Sequence, residues 1–369
     1  MYDFLLVGAG LFNAVFCHEA IRRGCSCLVL EKRAHTGGNC YTYEDSDIIV
    51  HKYGAHIFRT SDRQVWAFMQ RFAEFNNFIN SPIARYHEET YNLPFNMNTF
   101  AQMWHIFTPA EAKARIEEQS KGGHLPPRNL EEQAMHLVGR DIYEKLIKGY
   151  TEKQWGRACC ELPVSIIRRL PLRFTYDNNY YSDRYQGIPI GGFTPLIEQM
   201  MRGADICLQE DFLDNRDKWE GEAEHIVYTG TIDRYYDYRY GALSYRSLRF
   251  ETEKLGTDNF QGVAVVNYTD SETPYTRIIE HKHFEFGSQP HTIITREYPA
   301  AWQPGDEPYY PINDERNNLL YRKYAELASH NSKIRFAGRL GAYRYTDMQD
   351  TVKAAWQLWQ EWGAEVCRK

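Results

Sequence analysis

"LLVGAGLFN" (residues 5–13) stands close to the start of the sequence and decides the fold class. Gly8 and Gly10 have the spacing of the first two glycines in the G-x-G-x-x-G turn, and Asn13 stands in the third place. The first glycine permits a tight bend, and the second lets backbone N–H groups approach a pyrophosphate at a helix N-terminus. Because the third glycine serves only helix packing, the stretch still predicts a dinucleotide-binding turn.

The flanking residues have the order that such a turn requires. A strand is predicted over residues 4–8, a helix from Leu11 to Arg23, and a second strand, "CLVLEK", that ends near Glu31. An acidic residue about 20 positions beyond the turn is the usual partner of a ribose 2′-hydroxyl, which favours FAD or NAD. This order predicts an α/β fold with a Rossmann-like domain.

The rest of the sequence changes character twice. Residues 82–170 show helical spacing, with a capping box from Thr108 to Glu111 and one buried helical face over residues 129–150. Residues 231–311 alternate and predict an antiparallel sheet, and a strand and a helix close the chain. We predict three domains, which are a discontinuous FAD-binding domain (1–80, 190–230 and 312–369), an inserted helical domain with a mobile lid (81–170), and an antiparallel β-sheet substrate domain (171–189 and 231–311).

The composition excludes several classes of protein. A net charge of −6 over 369 residues argues against non-specific nucleic-acid binding, which needs a basic surface. No apolar run reaches the roughly 18 residues of a membrane helix, and no signal-peptide pattern precedes the turn, so we expect a cytoplasmic protein without a membrane partner. The eight cysteines have no paired C-x-x-C spacing, and we expect all of them to be thiols. His281 and His283 lack a third ligand at suitable spacing, so we expect no metal site.

Two later segments favour FAD over NAD. Gly37 and Gly38, in "EKRAHTGGNCYT" (31–42), form a second glycine pair that resembles flavin-binding proteins such as amine oxidases and phytoene desaturases. In "FAGRLGAYRYTDMQDTV" (336–352), Asp347 is placed to cap the final helix. In those proteins this helix N-terminus points at the flavin pyrimidine edge, where its dipole would stabilise a reduced flavin.

Six longer strings narrow the resemblance. They are "HKYGAHIF" (51–58), "NLPFNMNTF" (92–100), "IKGYTEKQWGR" (147–157), "DNNYYSDRYQGIPIGG" (177–192), "RIIEHKHF" (277–284) and "GDEPYYP" (305–311). Together they resemble the bacterial UDP-galactopyranose mutase family, in the family's own order, from Met1 to about Asp350. The sequence departs from the family pattern at Asn13, at Cys40, and at Arg59, where histidine is common.

The resemblance implies an enzyme that interconverts UDP-galactopyranose and UDP-galactofuranose by ring contraction, in cell-surface polysaccharide biosynthesis. N5 of a reduced FAD would attack the anomeric carbon and expel UDP, with no net redox change. A homodimer is also implied. Whether a substrate with N-acetylgalactosamine is accepted stays open.

The resemblance also assigns roles to residues. Arg169 and Arg277 would grip the diphosphate through charge-assisted hydrogen bonds, and His56 would lie near the flavin; these three are the expected catalytic residues. Tyr150 would stack on uracil, and Trp155 would lie beside a closing loop. Substrate binding is expected from Asn80, Tyr150, Thr151, Trp155, Arg169, Tyr180, Asn267, Arg277, Tyr310 and Tyr345. FAD binding is expected from Gly8, Gly10, Leu11, Phe12, Glu31, Lys32, Gly38, Asn39, His56, Arg339, Tyr345, Asp347 and Met348.

Two alternatives stay open at this point. One is a redox flavoenzyme of the amine-oxidase type, although a cationic amine would be repelled by Arg169 and Arg277 if both face the pocket. The other is a non-catalytic nucleotide-sugar-binding protein, which would bind UDP without converting the sugar ring.

Overall fold

The computed structural model describes residues 1–121, 126–167 and 172–367. In this part of the chain the strands form two large sheets and two short strand pairs. In chain order, β1 to β16 are Tyr2–Val7, Cys27–Glu31, Thr42–Asp45, Ile48–His51, Phe58–Thr60, Ile83–Tyr86, Glu89–Asn92, Tyr185–Gly187, Asp205–Leu208, Ala223–Tyr228, Tyr245–Leu255, Val265–Tyr268, Arg277–Glu280, Thr292–Ala301, Tyr310–Pro311 and Ile334–Phe336. Helices α1 to α14 are Leu11–Arg22, Arg63–Met69, Met97–Trp104, Pro109–Ser120, Leu130–Val138, Arg140–Ile142, Gly149–Trp155, Phe193–Met200, Arg216–Glu222, Ile232–Tyr235, Glu315–Ser329, Gly338–Gly341, Met348–Leu358 and Ala364–Val366.

The first sheet is parallel and has the strand order β16-β10-β1-β2-β9. Its central strand, β1, contains the apolar run of residues 4–7 because side chains pack on both faces of the sheet. On one face α1 packs against it, and the rings of Phe4 and Phe16 lie 5.2 Å apart edge to face. Ligands of such sheets bind beyond the carboxyl ends of the strands, which here are the positions of Gly8, Glu31 and Thr229.

The second sheet has seven strands in the order β15-β11-β14-β13-β12-β6-β7. The strands β11 to β15 pair antiparallel with one another, which confirms the prediction of an antiparallel sheet over residues 231–311. The one parallel pair of the sheet joins β12 to β6, which lies outside that range, and β6 and β7 are again antiparallel. The helical prediction for residues 82–92 was wrong, because β6 and β7 form a hairpin at the sheet edge there. Each of these strands has four residues, too few to show a period of two clearly in the sequence.

The single buried face predicted over residues 129–150 is divided among several helical segments. Helix α5 ends at Val138, and Gly139 follows with φ +81°, where a Cβ would lie 2.8 Å from Gln119 Oε1. A wider helical turn over Tyr143–Lys148 then leads into α7. The extra residue in that turn shifts the face that α7 presents, a change that spacing alone does not reveal.

Asn13, which stands in the place of the third glycine, connects the helix to the strand through side-chain hydrogen bonds. Its side chain is fully buried, and Nδ2 donates to the carbonyl oxygens of Val7 at 3.0 Å and Gly8 at 2.8 Å. The substitution therefore ties α1 to the end of β1.

The prediction that all eight cysteines are thiols was wrong for two of them. Cys25 and Cys367 form a disulfide with a Cα–Cα distance of 6.1 Å, and Cys17, Cys27, Cys40, Cys159, Cys160 and Cys207 are free. The pair is 342 residues apart in sequence, so only the packing of the last helical segments against α1 brings it together. Within the described ranges, no helix is both long and apolar enough to cross a membrane.

Candidate active site

Two glycine segments pack against each other at the carboxyl end of the parallel sheet. Gly38 has φ +55°, and a Cβ on it would lie 2.8 Å from the Cα of Gly10. Gly8 has φ +101°, and a Cβ there would lie 2.4 Å from Thr229 Oγ1. Side chains at these positions would collide with the neighbouring backbone or strand, so the glycines keep a narrow cradle open.

This cradle borders a cavity of about 520 Å³, which we call the glycine-lined cavity. Oε2 of Glu31 accepts a hydrogen bond from the N–H of Ala9 at 2.9 Å, and Oε1 accepts one from the N–H of Arg33 at 3.0 Å. Glu307 forms ion pairs with Arg33 at 2.7 Å and Lys32 at 2.8 Å. Acidic and basic groups thus alternate along the wall that continues from β2.

Arg339 stands at the other side of the glycine-lined cavity. Its guanidinium donates to the carbonyl oxygens of Tyr309 at 3.2 Å and Thr346 at 3.0 Å, and Cζ lies 4.9 Å from the centre of the Tyr345 ring. Two backbone carbonyls therefore fix the direction in which this cation points.

The predicted cap of the final helix is confirmed. Asp347 Oδ1 accepts from the N–H of Asp350 at 2.9 Å, and α13 follows directly. Its other oxygen, Oδ2, accepts from Arg59 at 3.1 Å, and Arg59 also pairs with Asp183 at 2.5 Å. Arg59, a departure from the family pattern, thus links the helix cap to β5.

A second cavity, of about 250 Å³, lies between the second sheet and the helical segment over residues 143–155, and we call it the Arg277 cavity. Arg277, at the start of β13, donates from Nη2 to the hydroxyl of Tyr150 on α7 at 2.5 Å. Its Nε lies 3.5 Å from the buried Oε1 of Glu297. Burial alone lowers the pKa of Arg277, but Glu297 and Tyr150 outweigh it and hold that pKa well above its usual value.

Two buried polar atoms of this cavity have no hydrogen-bond partner among the described residues. They are Nε of Arg277 and Oδ1 of Asn267, which lie on the neighbouring strands β13 and β12. Nε of Arg277 already faces the Glu297 carboxylate, so Oδ1 of Asn267 is the atom that a polar ligand in this cavity would satisfy.

His56 lies close to charged groups from both cavities. Its Nδ1 contacts the carbonyl oxygen of Gly54 at 2.8 Å. Burial lowers the pKa of His56 to about 4, the Gly54 carbonyl opposes that shift, and the positive charges of Arg339 and Arg277 add to it. Its chain neighbours Ala55 and Ile57 line the Arg277 cavity, and the charges that act on the histidine come from one arginine at each cavity.

The structure brings most of the expected site residues to these two cavities. The expected FAD-binding residues that line the glycine-lined cavity are Gly8, Gly10, Leu11, Phe12, Glu31, Lys32, Gly38, Asn39 and Arg339. The expected substrate-binding residues that line the Arg277 cavity are Asn80, Tyr150, Thr151, Tyr180, Asn267 and Arg277. Arg169 lies outside the described residues.

The other expected residues lie near the cavities without lining them. Trp155 packs against the core between the helices, and Met348 packs against the core around the parallel sheet. Tyr310 and Tyr345 lie with ring centres 5.9 Å apart beside Arg339. Among the described residues, neither cavity is lined by His56 or by Asp347, which caps the helix.

Sequence reasoning missed several lining residues. Arg33 and Glu307 form part of the glycine-lined cavity but are 274 residues apart, and neither stands in a motif of its own. Thr229 and Gly230 directly follow β10. The apolar residues 226–228 before them could have indicated a buried parallel strand that ends at this cavity. Tyr181 also lines the Arg277 cavity, and it belongs to the string of residues 177–192 that resembles the family.

Comparisons with known proteins place this geometry in a family. A family model described as an NAD(P)-binding Rossmann-like domain matches residues 6–72. A second model, described as UDP-galactopyranose mutase, matches residues 145–345, more than half of the chain. The chain belongs to the UDP-galactopyranose mutase family. It is therefore an enzyme of a family of isomerases, as the six strings predict.

Relatives in the UDP-galactopyranose mutase family match along nearly their whole length. A probable UDP-galactopyranose mutase of Klebsiella pneumoniae is 38% identical over 373 residues, covering 100% of this chain and 96% of the relative. A dTDP-fucopyranose mutase of Escherichia coli is 35% identical over 364 residues, covering 96% of this chain and 97% of the relative.

Solved structures confirm the predicted Rossmann-like α/β fold. A crystal structure of reduced UDP-galactopyranose mutase has a TM-score of 0.77 at 14% identity, covering 99% of this chain and 96% of that one. A putative protoporphyrinogen oxidase from Exiguobacterium has a TM-score of 0.64 at 12% identity, covering 99% of each chain. At such identities the likeness concerns the fold alone.

Proposed function

We propose that this protein interconverts UDP-galactopyranose and UDP-galactofuranose by ring contraction, with reduced FAD as its cofactor and no net redox change. The observation that carries the proposal is a pair of cavities, one bordered by Arg339 and the other by Arg277, whose charges both act on His56. One is built from glycines at the end of a Rossmann-like sheet, and the other contains a partly buried guanidinium beside Oδ1 of Asn267, which has no hydrogen-bond partner among the described residues. A dinucleotide and an anionic sugar nucleotide would thus meet at one place.

The residues of the glycine-lined cavity fit FAD. Gly10 and Gly38 keep backbone N–H groups accessible to a pyrophosphate, and Glu31 presents a carboxylate for a ribose hydroxyl. The N-terminus of α13, capped by Asp347, would place a positive dipole near the flavin ring. When bound and reduced, the flavin supplies a nucleophilic nitrogen, N5, for the anomeric carbon.

The residues of the Arg277 cavity would bind and orient the sugar nucleotide. The guanidinium of Arg277 would hold the diphosphate through charge-assisted hydrogen bonds and keep released UDP in place for the return reaction. The Tyr150 hydroxyl directs that guanidinium, and Oδ1 of Asn267 would accept a hydrogen bond from the substrate. Arg169 is proposed as the second phosphate-binding cation.

His56 would act as a neutral imidazole near neutral pH. Burial holds its pKa at about 4, so the ring is uncharged there. The tautomer with Nδ1–H donates to the carbonyl of Gly54, which leaves Nε2 as a proton acceptor. Such a group can accept a hydrogen bond from a sugar hydroxyl or from the cofactor edge.

Chromatography of the sugar nucleotides tests the proposed function. The purified protein is incubated with UDP-galactopyranose, once after treatment with dithionite and once oxidised. UDP-galactofuranose should form only in the reduced sample. Failure of reduced, FAD-containing protein to form it would refute the proposal.

A second candidate substrate is dTDP-fucopyranose. The relative from Escherichia coli that is named for this substrate is nearly as similar as the one named for UDP-galactopyranose. Both substrates are nucleoside diphosphate sugars and would use the same diphosphate-binding cation. The same assay with dTDP-fucopyranose, run in parallel, decides between them through the ratio of the two kcat/KM values.

An oxidase of the amine-oxidase type is disfavoured. Putrescine oxidase shares the fold at a TM-score of 0.54 and 11% identity. However, Arg277 keeps its positive charge in the cavity because Glu297 and Tyr150 stabilise it, and it would repel a cationic amine.

We also propose the three-domain division, a homodimer and a cytoplasmic location for this protein.

A further inference from the structure

The ammonium group of Lys153 is enclosed by backbone carbonyl groups. Lys153 lies on α7, and Nζ donates to the carbonyl oxygens of Tyr268 at 2.8 Å, Thr273 at 3.0 Å and Tyr275 at 3.1 Å. Tyr268 is the last residue of β12, and Thr273 and Tyr275 belong to the turn between β12 and β13. A lysine ammonium has three donors, so each N–H has its own acceptor.

Gly149, one helical turn earlier on α7, meets the same turn. A Cβ at Gly149 would lie 2.4 Å from the carbonyl oxygen of Thr269 and 3.0 Å from the carbonyl carbon of Asp270. The helix therefore approaches the turn at backbone distance, and Lys153 holds it there. The spacing of four residues places both on one face of α7.

The two elements joined in this way both contribute to the walls of the Arg277 cavity. Helix α7 supplies Tyr150 and Thr151, and the hairpin of β12 and β13 supplies Asn267 and Arg277. Besides the contact of Lys153, these walls meet through the hydrogen bond between Arg277 and Tyr150. A small movement of α7 along the hairpin would change the distance between these groups.

We infer that Lys153 is a positioning residue for the sugar nucleotide, because it fixes the register between α7 and the β12–β13 hairpin. This inference rests on the proposed function, since it takes the Arg277 cavity as the site of a nucleoside diphosphate. Lys153 itself does not line the cavity, and its effect on the ligand passes through Tyr150, Thr151 and Asn267.

The charge of the ammonium group matters for this contact. A neutral amine has two donors, so one of the three carbonyls would lose its partner. Burial lowers the pKa of Lys153 to about 8, and the nearby carboxylates of Asp270 and Glu272 oppose that shift. Glu272 also lies 3.8 Å from Nδ1 of His87, which faces the same turn from the end of β6. The grip on the hairpin should therefore weaken in mildly alkaline solution.

The test compares UDP binding by calorimetry to FAD-loaded wild type, Lys153→Met, Lys153→Arg and Lys148→Met. Lys148 is a matched control because it precedes α7 directly but lies at the surface, paired with Glu144. At pH 7 we expect Lys153→Met to bind UDP about tenfold more weakly, since it loses three hydrogen bonds from a charged donor. FAD content should stay unchanged, and Lys148→Met should bind as wild type does.

A pH series separates positioning from a general structural role. Between pH 7 and 9 the UDP affinity of wild type should fall relative to that of Lys153→Arg, because the arginine side chain stays charged. Any ionisation of UDP itself affects both proteins equally and cancels in the comparison. Equal affinities of wild type and Lys153→Met, or parallel pH profiles of wild type and Lys153→Arg, would overturn the inference. Wild type that binds no UDP at pH 7 would instead overturn the proposed function, and the inference with it.

Discussion

Tyr150 and Arg277, which are 127 residues apart in sequence, meet at 2.5 Å between the hydroxyl oxygen and Nη2. This contact joins helix α7 to strand β13 and directs a partly buried guanidinium into the cavity that we assign to the substrate. Glu297 lies 3.5 Å from Nε of the guanidinium and stabilises its charge. The arrangement is that of a preorganised anion site.

Replacing Arg277 with alanine should abolish turnover and weaken UDP binding by about 100-fold or more, because the main described cation of the cavity is lost. FAD content, measured from the flavin absorbance, should stay at the wild-type level, since Arg277 does not border the glycine-lined cavity. Arg277→Lys, which keeps the charge but not the planar fork, should recover part of the affinity. Loss of flavin in Arg277→Ala would instead mean that this residue supports the fold.

Replacing Tyr150 with phenylalanine removes the hydroxyl that directs Arg277 and leaves the ring in place. We expect a fivefold to tenfold weaker UDP affinity, equivalent to about 1 kcal/mol for one hydrogen bond. The control is Tyr176→Phe, because Tyr176 is exposed and donates to the carbonyl of Phe107 away from the cavity. Equal affinities for the two variants would contradict the role of Tyr150.

Replacing Gly38 with alanine should prevent flavin binding. The new Cβ would lie 2.8 Å from the Cα of Gly10, and the backbone there has φ +55°. Gly24→Ala is the matched control, because Gly24 has φ +86° but no atom within 4 Å of the added Cβ among the described residues. That control should cost about 1–2 kcal/mol of stability through its backbone alone and should keep its flavin. Full flavin content in Gly38→Ala would refute the assigned cradle.

The fully buried carboxylate of Glu280 should make stability depend on pH. It accepts hydrogen bonds from the N–H groups of Phe260 and Gln261, each at 2.9 Å, and lies 3.1 Å from Nε2 of His283. Burial raises its pKa, but these contacts outweigh that effect and lower the pKa to about 2. The stabilisation is therefore present above about pH 4.5 and is lost as the pH falls towards 2.

Urea unfolding at pH 6 and pH 3.5 measures this effect. The free energy of unfolding of wild type should be lower at pH 3.5 than at pH 6. The control Glu117→Gln, which changes an exposed carboxylate on α4, should show the same decrease. Glu280→Gln should be less stable at pH 6 by about 3 kcal/mol and should show a smaller decrease. A pH dependence that is the same in Glu280→Gln and wild type would contradict the assignment.

Local chemistry made much of the fold and part of the site predictable. The Gly8 turn, the end of β2 at Glu31 and the cap at Asp347 each depend on residues within a few positions of each other. Such features follow from backbone sterics and capping, which a single sequence displays directly. The two glycine segments were also recognisable, although only the structure shows that they touch.

Long-range packing accounts for what the sequence did not reveal. The disulfide of Cys25 with Cys367 and the ion pair of Arg33 with Glu307 join positions that no local pattern relates. The interruption at Gly139, by contrast, had a local signal, because a glycine with positive φ commonly ends a helix. The disulfide and the ion pair arise from tertiary contacts and therefore leave no period or motif in the sequence.

A crystal structure of the reduced, FAD-containing protein with UDP-galactose tests the central claim most directly. We predict the diphosphate within about 3 Å of the Arg277 guanidinium, and the galactose between that residue and the flavin in the glycine-lined cavity. A diphosphate bound elsewhere, or a flavin whose ring lies far from Arg277 and His56, would contradict the account.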